Sequence, residues 1–308
     1  MKLAILGAGE SGVGAALLAR AKGLDVFVSD MGQIKEVYKA KLATAAIPYE
    51  EGTHTFERIL EANEIVKSPG IPDKAAIIQE AIKREIPVIS EIEFAGRYTD
   101  AKFICITGTN GKTTTTLLTY HLLKSAGINV GLAGNIGESL AEKVIDNKHE
   151  YYVVELSSFQ LDNMYQFKAH IGVLLNITPD HLDRYGYDLN KYAASKLRIA
   201  QNMSGADYFI YNSDDDIIRN AFDSASFGGT TVPFSLQGAP GAKVLCEGSH
   251  VKVDVRFFEG DIDASRSALI GKHNQYNTMA AVAIAKLMGL EDSQIENGLE
   301  TFENAEHR

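Results

Sequence analysis

The sequence has little cysteine, no excess of basic residues and no long apolar run. Only two of its 308 residues are cysteines. Cys105 lies in a run that predicts a buried strand, which argues against a disulfide scaffold and favours a reduced cytoplasmic setting. The formal net charge of −10 argues against a sequence-independent nucleic-acid surface. No apolar run approaches the roughly 20 residues that span a bilayer, and no signal peptide precedes the first predicted strand. We therefore expect neither nucleic-acid nor membrane partners.

The length and the alternation of strand and helix patterns predict two α/β domains. A chain of 308 residues is long enough for two cores. We predict a Rossmann-like domain with a parallel sheet over 1–91. A central P-loop-type α/β domain with a small β subregion would then cover 92–304, because the pattern restarts between Glu91 and Asp100.

A phosphate-binding loop is predicted in the central domain. The buried-strand run 103–107 leads into the loop 108–111, and Lys112 and Thr113 then open a helix. Backbone N–H groups, a helix N-terminus and a cation would converge there, which favours phosphate. Lys112 fits a role at the terminal phosphates and Thr113 a role at Mg²⁺. Ile106 occupies the first glycine position of the usual pattern, so the loop is not a standard one. An ordinary strand–turn–helix with a chance Gly-Lys-Thr is the alternative.

A second glycine-rich turn lies near the N-terminus. The segment 7–12 separates a predicted strand from a helix, and Asp30 ends the next strand. This is the pattern of a dinucleotide-binding turn, in which a pyrophosphate sits on the helix N-terminus and the acid lies near a ribose or base. Tight packing that merely requires glycine is the alternative. The rigid turn 68–70 also follows a strand end, where open α/β sheets bind ligands.

Further polar residues follow predicted strands of the central domain. The run 152–158 predicts a buried strand, and Glu155 near its C-terminal end is suited to holding Mg²⁺ directly or through water, or to capping a helix. The segment 180–183 contains one His and two Asp, which could bind a metal or phosphate or form a polar turn. In isolation, Lys196 reads as part of a solvated helix face. The acids 214–216 read as a solvated helix start.

Taken together, these motifs resemble the Mur ligases of bacterial cell-wall synthesis. Five segments in order carry the resemblance, which covers essentially the whole chain: 108–113, 134–137, 155–161, 176–184 and 271–277. The residues of 155–161 and 180–185 are similar to the corresponding motifs of the branch that adds D-glutamate.

The resemblance implies an ATP-dependent carbon–nitrogen ligase of peptidoglycan precursor synthesis. Such enzymes join D-glutamate to UDP-N-acetylmuramoyl-L-alanine, with ATP as co-substrate and two Mg²⁺ sites. The L-alanyl carboxylate accepts the γ-phosphoryl group, the amine of D-glutamate attacks the acyl phosphate, and phosphate leaves. This chemistry depends mainly on positioning and charge neutralisation. We expect a monomer.

The resemblance also implies which residues form the site. Those with catalytic roles are Lys112, Glu155, His181 and Lys196. Those at ATP are Gly108, Thr109, Asn110, Gly111, Lys112, Thr113, Thr114, Asn274, Asn277 and Arg308. Those at the UDP substrate are Glu10, Ser11, Gly12, Asp30, Ser68, Pro69, Gly70, Asn135, Ser157 and His181. Those at Mg²⁺ are Thr113, Glu155, His181 and Lys196.

Three details qualify the resemblance. Lys196 matches a lysine that the family carbamylates, which requires a neutral amine and therefore burial. Met31 and Gly32 stand where a Thr-Arg-like pair is expected after Asp30. The chain stops at 305–308, the hinge to a third domain that holds the amino-acid substrate. We therefore expect UDP-substrate binding with little or no ligation by this chain.

Three other functions remain open from the sequence. An NAD-dependent oxidoreductase would explain Gly7 to Asp30 but not the second phosphate loop. A non-catalytic nucleotide-sugar binding module would not need Glu155, His181 and Lys196 together. A third possibility is another member of the family that adds a different amino acid. Only the residues of two motifs, 157–161 and 181–185, distinguish it from the branch that adds D-glutamate.

Overall fold

The computed structural model describes residues 1–223 and 226–303. The strands are β1 Lys2–Leu6, β2 Asp25–Asp30, β3 Tyr49–Glu51, β4 Glu64–Lys67, β5 Val88–Ser90, β6 Lys102–Thr107, β7 Val130–Gly134, β8 Tyr151–Glu155, β9 Ile171–Leu174, β10 Tyr208–Asn212, β11 Thr230–Ser235, β12 Val244–Glu247, β13 His250–Val255 and β14 Phe258–Asp263. The α-helices are α1 Glu10–Ala21, α2 Glu36–Thr44, α3 Phe56–Ile59, α4 Ala76–Lys83, α5 Glu91–Gly96, α6 Lys112–Ser125, α7 Leu140–Asp146, α8 Ser158–Asp162, α9 Leu189–Leu197, α10 Asp216–Asp223, α11 Lys272–Leu287 and α12 Asp292–Thr301.

The first compact unit is built on a five-stranded parallel sheet in the order β3-β2-β1-β4-β5. Strand β1 is apolar along most of its length because it lies in the middle of the sheet, where both faces are covered. Ala4 of β1 pairs with Phe27 of β2 and Ile65 of β4, and all three belong to one buried cluster. The prediction of a parallel Rossmann-like sheet is confirmed.

The first unit also contains two segments from later in the chain. It comprises 1–101 together with 133–148 and 157–167. Buried carboxylates of α5 hold both segments. Glu93 accepts hydrogen bonds from the backbone N–H groups of residues 165–167, and Glu91 accepts one from Ala141. The unit therefore extends past 91 and is not one continuous segment, while the functional assignment of 1–91 and 92–304 stays a prediction.

Burial of Glu91 predicts a pH-dependent stability. Its Oε1 accepts from the Ala141 N–H at 2.6 Å, whereas Oε2 is buried without a hydrogen bond. Burial raises the pKa of Glu91 to about 7, above the 4.5 of the unfolded chain. Because the unfolded state ionises first, stability falls as pH rises from about 4.5 to 7.

We expect the free energy of unfolding of Glu91→Gln, relative to the native chain, to increase by about 2 kcal/mol between about pH 5.5 and 8. Denaturant unfolding at both pH values measures this difference, and the shared titration of other groups cancels in the comparison. Parallel pH profiles for the two proteins would contradict an ionising Glu91.

The second unit is built on a nine-stranded sheet in the order β14-β13-β12-β11-β10-β9-β6-β8-β7. The pairs from β12 through β11, β10, β9 and β6 to β8 are parallel, and β12-β13-β14 is antiparallel. Helix α11 belongs to the large buried core of this unit. A P-loop-type sheet with a small β subregion is thus confirmed. No helix of the described residues is long and apolar enough to cross a membrane.

One predicted strand is shorter than its apolar run. Strand β8 stops at Glu155, although the pattern predicts a strand through Ser158. Ser157 is instead the N-cap of α8, where its hydroxyl accepts from the Gln160 N–H and the Gln160 side chain accepts from the Ser157 N–H. This capping box ends the strand because it requires a change in backbone direction.

Candidate functional site

The loop between β6 and α6 depends on a glycine at the start of the helix. Gly111 precedes the helix with φ +81°, a left-handed conformation that favours glycine. A Cβ on Gly111 would overlap Oδ1 of Asn277. The absence of a side chain therefore lets α11, which carries Asn277, approach the loop closely.

The chain that follows β9 holds this loop in place. The Thr109 N–H donates to the Asn176 carbonyl, and the Asn110 N–H donates to Asn176 Oδ1 at 2.8 Å. The Asn176 amide donates back to the Asn110 carbonyl, and the Thr178 N–H donates to the Thr109 hydroxyl. The strand order accounts for these contacts, because β9 lies beside β6 and both end at one edge of the sheet.

Lys112 lies over the loop that precedes it. Its Nζ donates to the carbonyls of Gly108 and Thr109, at 3.1 and 2.7 Å. Burial lowers the pKa of Lys112, and the charges of Glu155 and Asp180 oppose that shift. The ammonium is thus held beside the loop amides, where terminal phosphates would be expected.

Thr113 and Glu155 meet at the same sheet edge. The Thr113 hydroxyl donates to Glu155 Oε2 at 2.8 Å, and Glu155 is buried at the end of β8. Hydroxyl and carboxylate oxygens are ligands that Mg²⁺ prefers, with phosphate oxygens and waters completing its shell. This donor set fits the predicted ion. The described residues contain no cluster of three or more His, Cys, Asp or Glu side chains that could hold a metal unaided.

Lys196 lies inside the unit, although its sequence context alone suggests a solvated face. Its side chain is 2% exposed, Nζ donates to the Gly108 carbonyl at 2.8 Å, and the ammonium lies 4.7 Å from the centre of the Tyr192 ring. The burial that a carbamylated lysine needs is therefore present. Gly108 receives hydrogen bonds from both Lys112 and Lys196, so the two amines are near each other.

The remaining described candidates of the second unit lie on α6, on α11 and in the segment after β9. His181 has φ +48°, is largely exposed, and its Nε2 is 3.6 Å from Asp180. Asn277 donates to Asn274 Oδ1 at 3.1 Å within the first turns of α11. Thr114 lies in the first turn of α6. Arg308 and the segment 305–308, for which a hinge is predicted, lie outside the described residues.

Asp214 is less solvated than the sequence suggests, whereas Asp216 begins α10 with an exposed side chain, as predicted. Asp214 accepts hydrogen bonds from the Leu236 N–H and from the hydroxyls of Ser235 and Tyr276. Burial and the bond to Asp214 raise the pKa of Tyr276 to about 12. Asp214 thereby anchors α11, which carries Asn274 and Asn277. No local signal indicates this role, since its partners lie at least 21 residues away.

The glycine turn of the first unit is a separate candidate site. Gly12 lies in the first turn of α1, where a Cβ would overlap the carbonyl oxygen of Gly7. The carboxylate of Asp30 accepts from the Ala8 N–H at 2.6 Å and from the Gly32 N–H at 2.7 Å. Asp30 therefore stabilises the glycine turn through a hydrogen bond to its backbone.

A cavity of about 730 Å³ opens beside this turn. It is lined by Asp30, Ser68 and Gly70, all predicted from the sequence, and by Thr53 and His54, which were not. Of the other predicted residues, Ser11 and Gly12 lie in the first turn of α1, and Glu10 accepts from the Tyr38 hydroxyl. Asn135 is exposed, and Ser157 caps α8.

Two family models match this chain. Residues 1–90 match the Mur ligase MurD-like N-terminal domain, and residues 106–285 match the Mur ligase middle domain. The chain therefore belongs to the Mur ligase family, and its class is that of a ligase.

Two relatives of known name are similar to this chain over nearly its whole length. The chain is 53% identical over 307 residues to the UDP-N-acetylmuramoylalanine–D-glutamate ligase of Bacteroides fragilis, covering 100% of this chain and 69% of that protein. It is 51% identical over 308 residues to the protein of the same name from Porphyromonas gingivalis, covering 99% and 68%. These matches favour a ligase over an oxidoreductase. The chain spans a little over two thirds of the length of these relatives.

A solved structure supports the fold alone. The UDP-N-acetylmuramate:L-alanyl-gamma-D-glutamyl-meso-diaminopimelate ligase of Neisseria meningitides superposes with a TM-score of 0.69 at 18% identity, covering 99% of both chains.

Proposed function

We propose that this chain is the nucleotide-binding part of an ATP-dependent ligase that joins D-glutamate to UDP-N-acetylmuramoyl-L-alanine. The observation that carries the proposal is the second-unit loop, where Lys112 lies over the loop carbonyls and Thr113 donates to Glu155. The names of the relatives supply the substrates. A monomer in the cytoplasm remains our expectation.

The proposed roles in the second unit follow from charge and position. The amides of 108–111 and the ammonium of Lys112 would bind the terminal phosphates of ATP, and Thr114 and the asparagines of α11 would contact the nucleotide. Thr113 and Glu155 would hold one Mg²⁺, and His181 with a carbamylated Lys196 a second. Mg²⁺ would neutralise charge on the transferring phosphoryl group.

The proposed reaction has two steps. A carboxylate oxygen of the L-alanyl group attacks the γ-phosphorus of ATP, the bond to the bridging oxygen breaks, and ADP leaves. The amine of D-glutamate then attacks the acyl phosphate, and inorganic phosphate leaves with the former carboxylate oxygen. Lys112 and the loop amides would stabilise the charge that develops during transfer, without forming a covalent bond themselves.

The first unit would bind the UDP portion. Its cavity lies beside the N-terminus of α1, where backbone N–H groups favour a pyrophosphate. Asp30, Ser68 and Gly70 line that cavity, and Glu10, Ser11, Gly12, Pro69, Asn135 and Ser157 are proposed as further contacts.

Calorimetric titration of the 308-residue chain tests the proposal. We expect saturable binding of UDP-N-acetylmuramoyl-L-alanine and Mg²⁺-dependent binding of ATP, with no binding of NADH. Binding of NADH in place of the UDP ligand would contradict the proposal and favour the oxidoreductase.

A phosphate-release assay tests the expectation for the isolated chain. With all three substrates we expect little D-glutamate-dependent phosphate, because the resemblance assigns the amino-acid site to the third domain. Substantial D-glutamate-dependent release would show that this expectation is wrong, while leaving the assignment of a ligase intact.

A further inference from the structure

Three polar side chains of the first unit form a hydrogen-bonded chain beside the cavity. The Ser29 hydroxyl is buried and lies 2.6 Å from Glu50 Oε1 and 2.6 Å from Nδ1 of His54. Glu50 also accepts from the backbone N–H and the hydroxyl of Thr55, at 2.8 and 2.7 Å. These residues come from β2, β3 and the turn after β3, which the parallel pairing of β2 with β3 brings together.

The positions of the protons on Ser29, Glu50 and His54 follow from which of these groups can donate. Burial alone would raise the pKa of Glu50, but bonds from Ser29 and Thr55 and the charge of Arg58 outweigh it and lower the pKa. Glu50 is therefore a carboxylate, which can only accept. Ser29 has one hydroxyl proton and donates it to Glu50, so Nδ1 of His54 must carry a proton and donate to Ser29.

The other ring nitrogen of His54 is then an acceptor whenever the ring is neutral. Burial lowers the pKa of His54, and the nearby charges of Glu50 and Asp30 oppose the shift only in part. The imidazole is thus neutral near pH 7. No described residue forms a hydrogen bond with its Nε2.

His54 is one of few polar groups at this part of the cavity. Met31, Phe56, Ile71 and Pro72 also line it and contribute apolar surface. The Asp30 carboxylate is already engaged by two backbone N–H groups. A planar ring with one outward N–H would suit such walls, because its faces would cover the apolar side chains and its N–H would satisfy the imidazole.

We propose that Nε2 of His54 accepts a hydrogen bond from the N3–H of the uracil ring of the UDP substrate and so determines specificity for the base. This inference rests on the function proposed above. Uracil carries that single ring N–H between two carbonyls, and methylation of N3 removes it. Ser29 and Glu50 are positioning residues, since they fix the tautomer of His54 without contacting the ligand.

Calorimetric titration of the 308-residue chain with UDP and with N3-methyl-UDP tests the proposal. For the native chain at about pH 7.5, we expect methylation to weaken binding about tenfold, as for one lost hydrogen bond. His54→Phe keeps a flat ring without an acceptor, so its affinities for the two ligands should agree within about twofold. His54→Gln, which retains an acceptor oxygen, should recover part of the discrimination.

The pH dependence of the native chain provides a test that needs no variant. As pH falls below the pKa of His54, which burial lowers, protonation replaces the acceptor with a donor, and the penalty for methylation should shrink. Ser29→Ala should also weaken the discrimination, because Nδ1 then lacks the partner that sets its proton.

The possible results distinguish the proposed role of His54 from the proposed UDP site. An equal methylation penalty in the native chain and His54→Phe, no penalty in the native chain, or a penalty that persists once His54 is protonated would overturn the role of His54. Failure of the native chain to bind UDP at all would overturn the proposed UDP site itself.

Discussion

Replacing Lys112 by alanine is expected to weaken Mg²⁺-dependent ATP binding by about 100-fold. The substitution removes a partly buried ammonium that lies within 2.7 and 3.1 Å of two loop carbonyls. Charged hydrogen bonds to phosphate contribute about 1.5–3 kcal/mol each, and a factor of ten in affinity corresponds to about 1.4 kcal/mol. Titration with ATP in the presence and absence of Mg²⁺ measures the loss.

Lys124→Ala is the matched control on the same helix. Lys124 lies in the last turn of α6, with its ammonium 5.2 Å from the centre of the Tyr120 ring. Its removal deletes the same charge but should leave ATP affinity within about twofold. Equal losses in both variants would mean that net charge, rather than the loop geometry, governs binding. An unchanged affinity in Lys112→Ala would remove the loop from the ATP site.

Replacing Gly12 by alanine is expected to destabilise the first unit by about 3 kcal/mol or more. The added Cβ would overlap the carbonyl oxygen of Gly7 and would lie 3.3 Å from Cγ2 of Ile5. Rotation of a side chain cannot relieve a clash with backbone, so β1 and α1 would have to separate. Thermal or denaturant unfolding measures the change, and UDP binding should decrease with it.

Gly9→Ala is the control from the same turn. Gly9 has an ordinary φ of −80°, and a Cβ there would meet nothing within 4 Å. We expect its free energy of unfolding to change by no more than about 1 kcal/mol. Comparable destabilisation by both substitutions would mean that the turn is intolerant of any side chain and that the close approach at Gly12 is not the cause.

Local patterns were sufficient for the elements and for the fold class. The apolar run before Gly108 and the hydroxyl-rich helix after Gly111 predicted a strand, a loop and a helix, and β6 and α6 confirm them. The prediction failed between Leu156 and Ser158, where a capping box outweighed an apolar run. The sequence also did not predict that 133–148 and 157–167 belong to the first unit. The carboxylates of Glu91 and Glu93 hold them there through hydrogen bonds to backbone N–H groups that lie at least 50 residues away in sequence.

Some residues of the candidate sites were indicated by sequence motifs, and others were revealed only by the structure. Motifs indicated Lys112, Thr113 and Glu155, and the structure brings the last two together. Burial of Lys196 was implied by the resemblance but not by its neighbours in sequence. The bonds of Asp214 to β11 and α11 had no sequence signal at all. The functional roles of these residues stay predictions until the binding experiments are done.

The sequence by itself determined which short segments turn and predicted which of them could bind anions, because glycine conformation, helix N-termini and charge act within a few residues. Only the tertiary structure decided which segments meet. Ser29, Glu50 and His54 are separated by up to 25 residues and come together because β3 pairs with β2. Strand order depends on packing across the whole sheet, so no local pattern contains it.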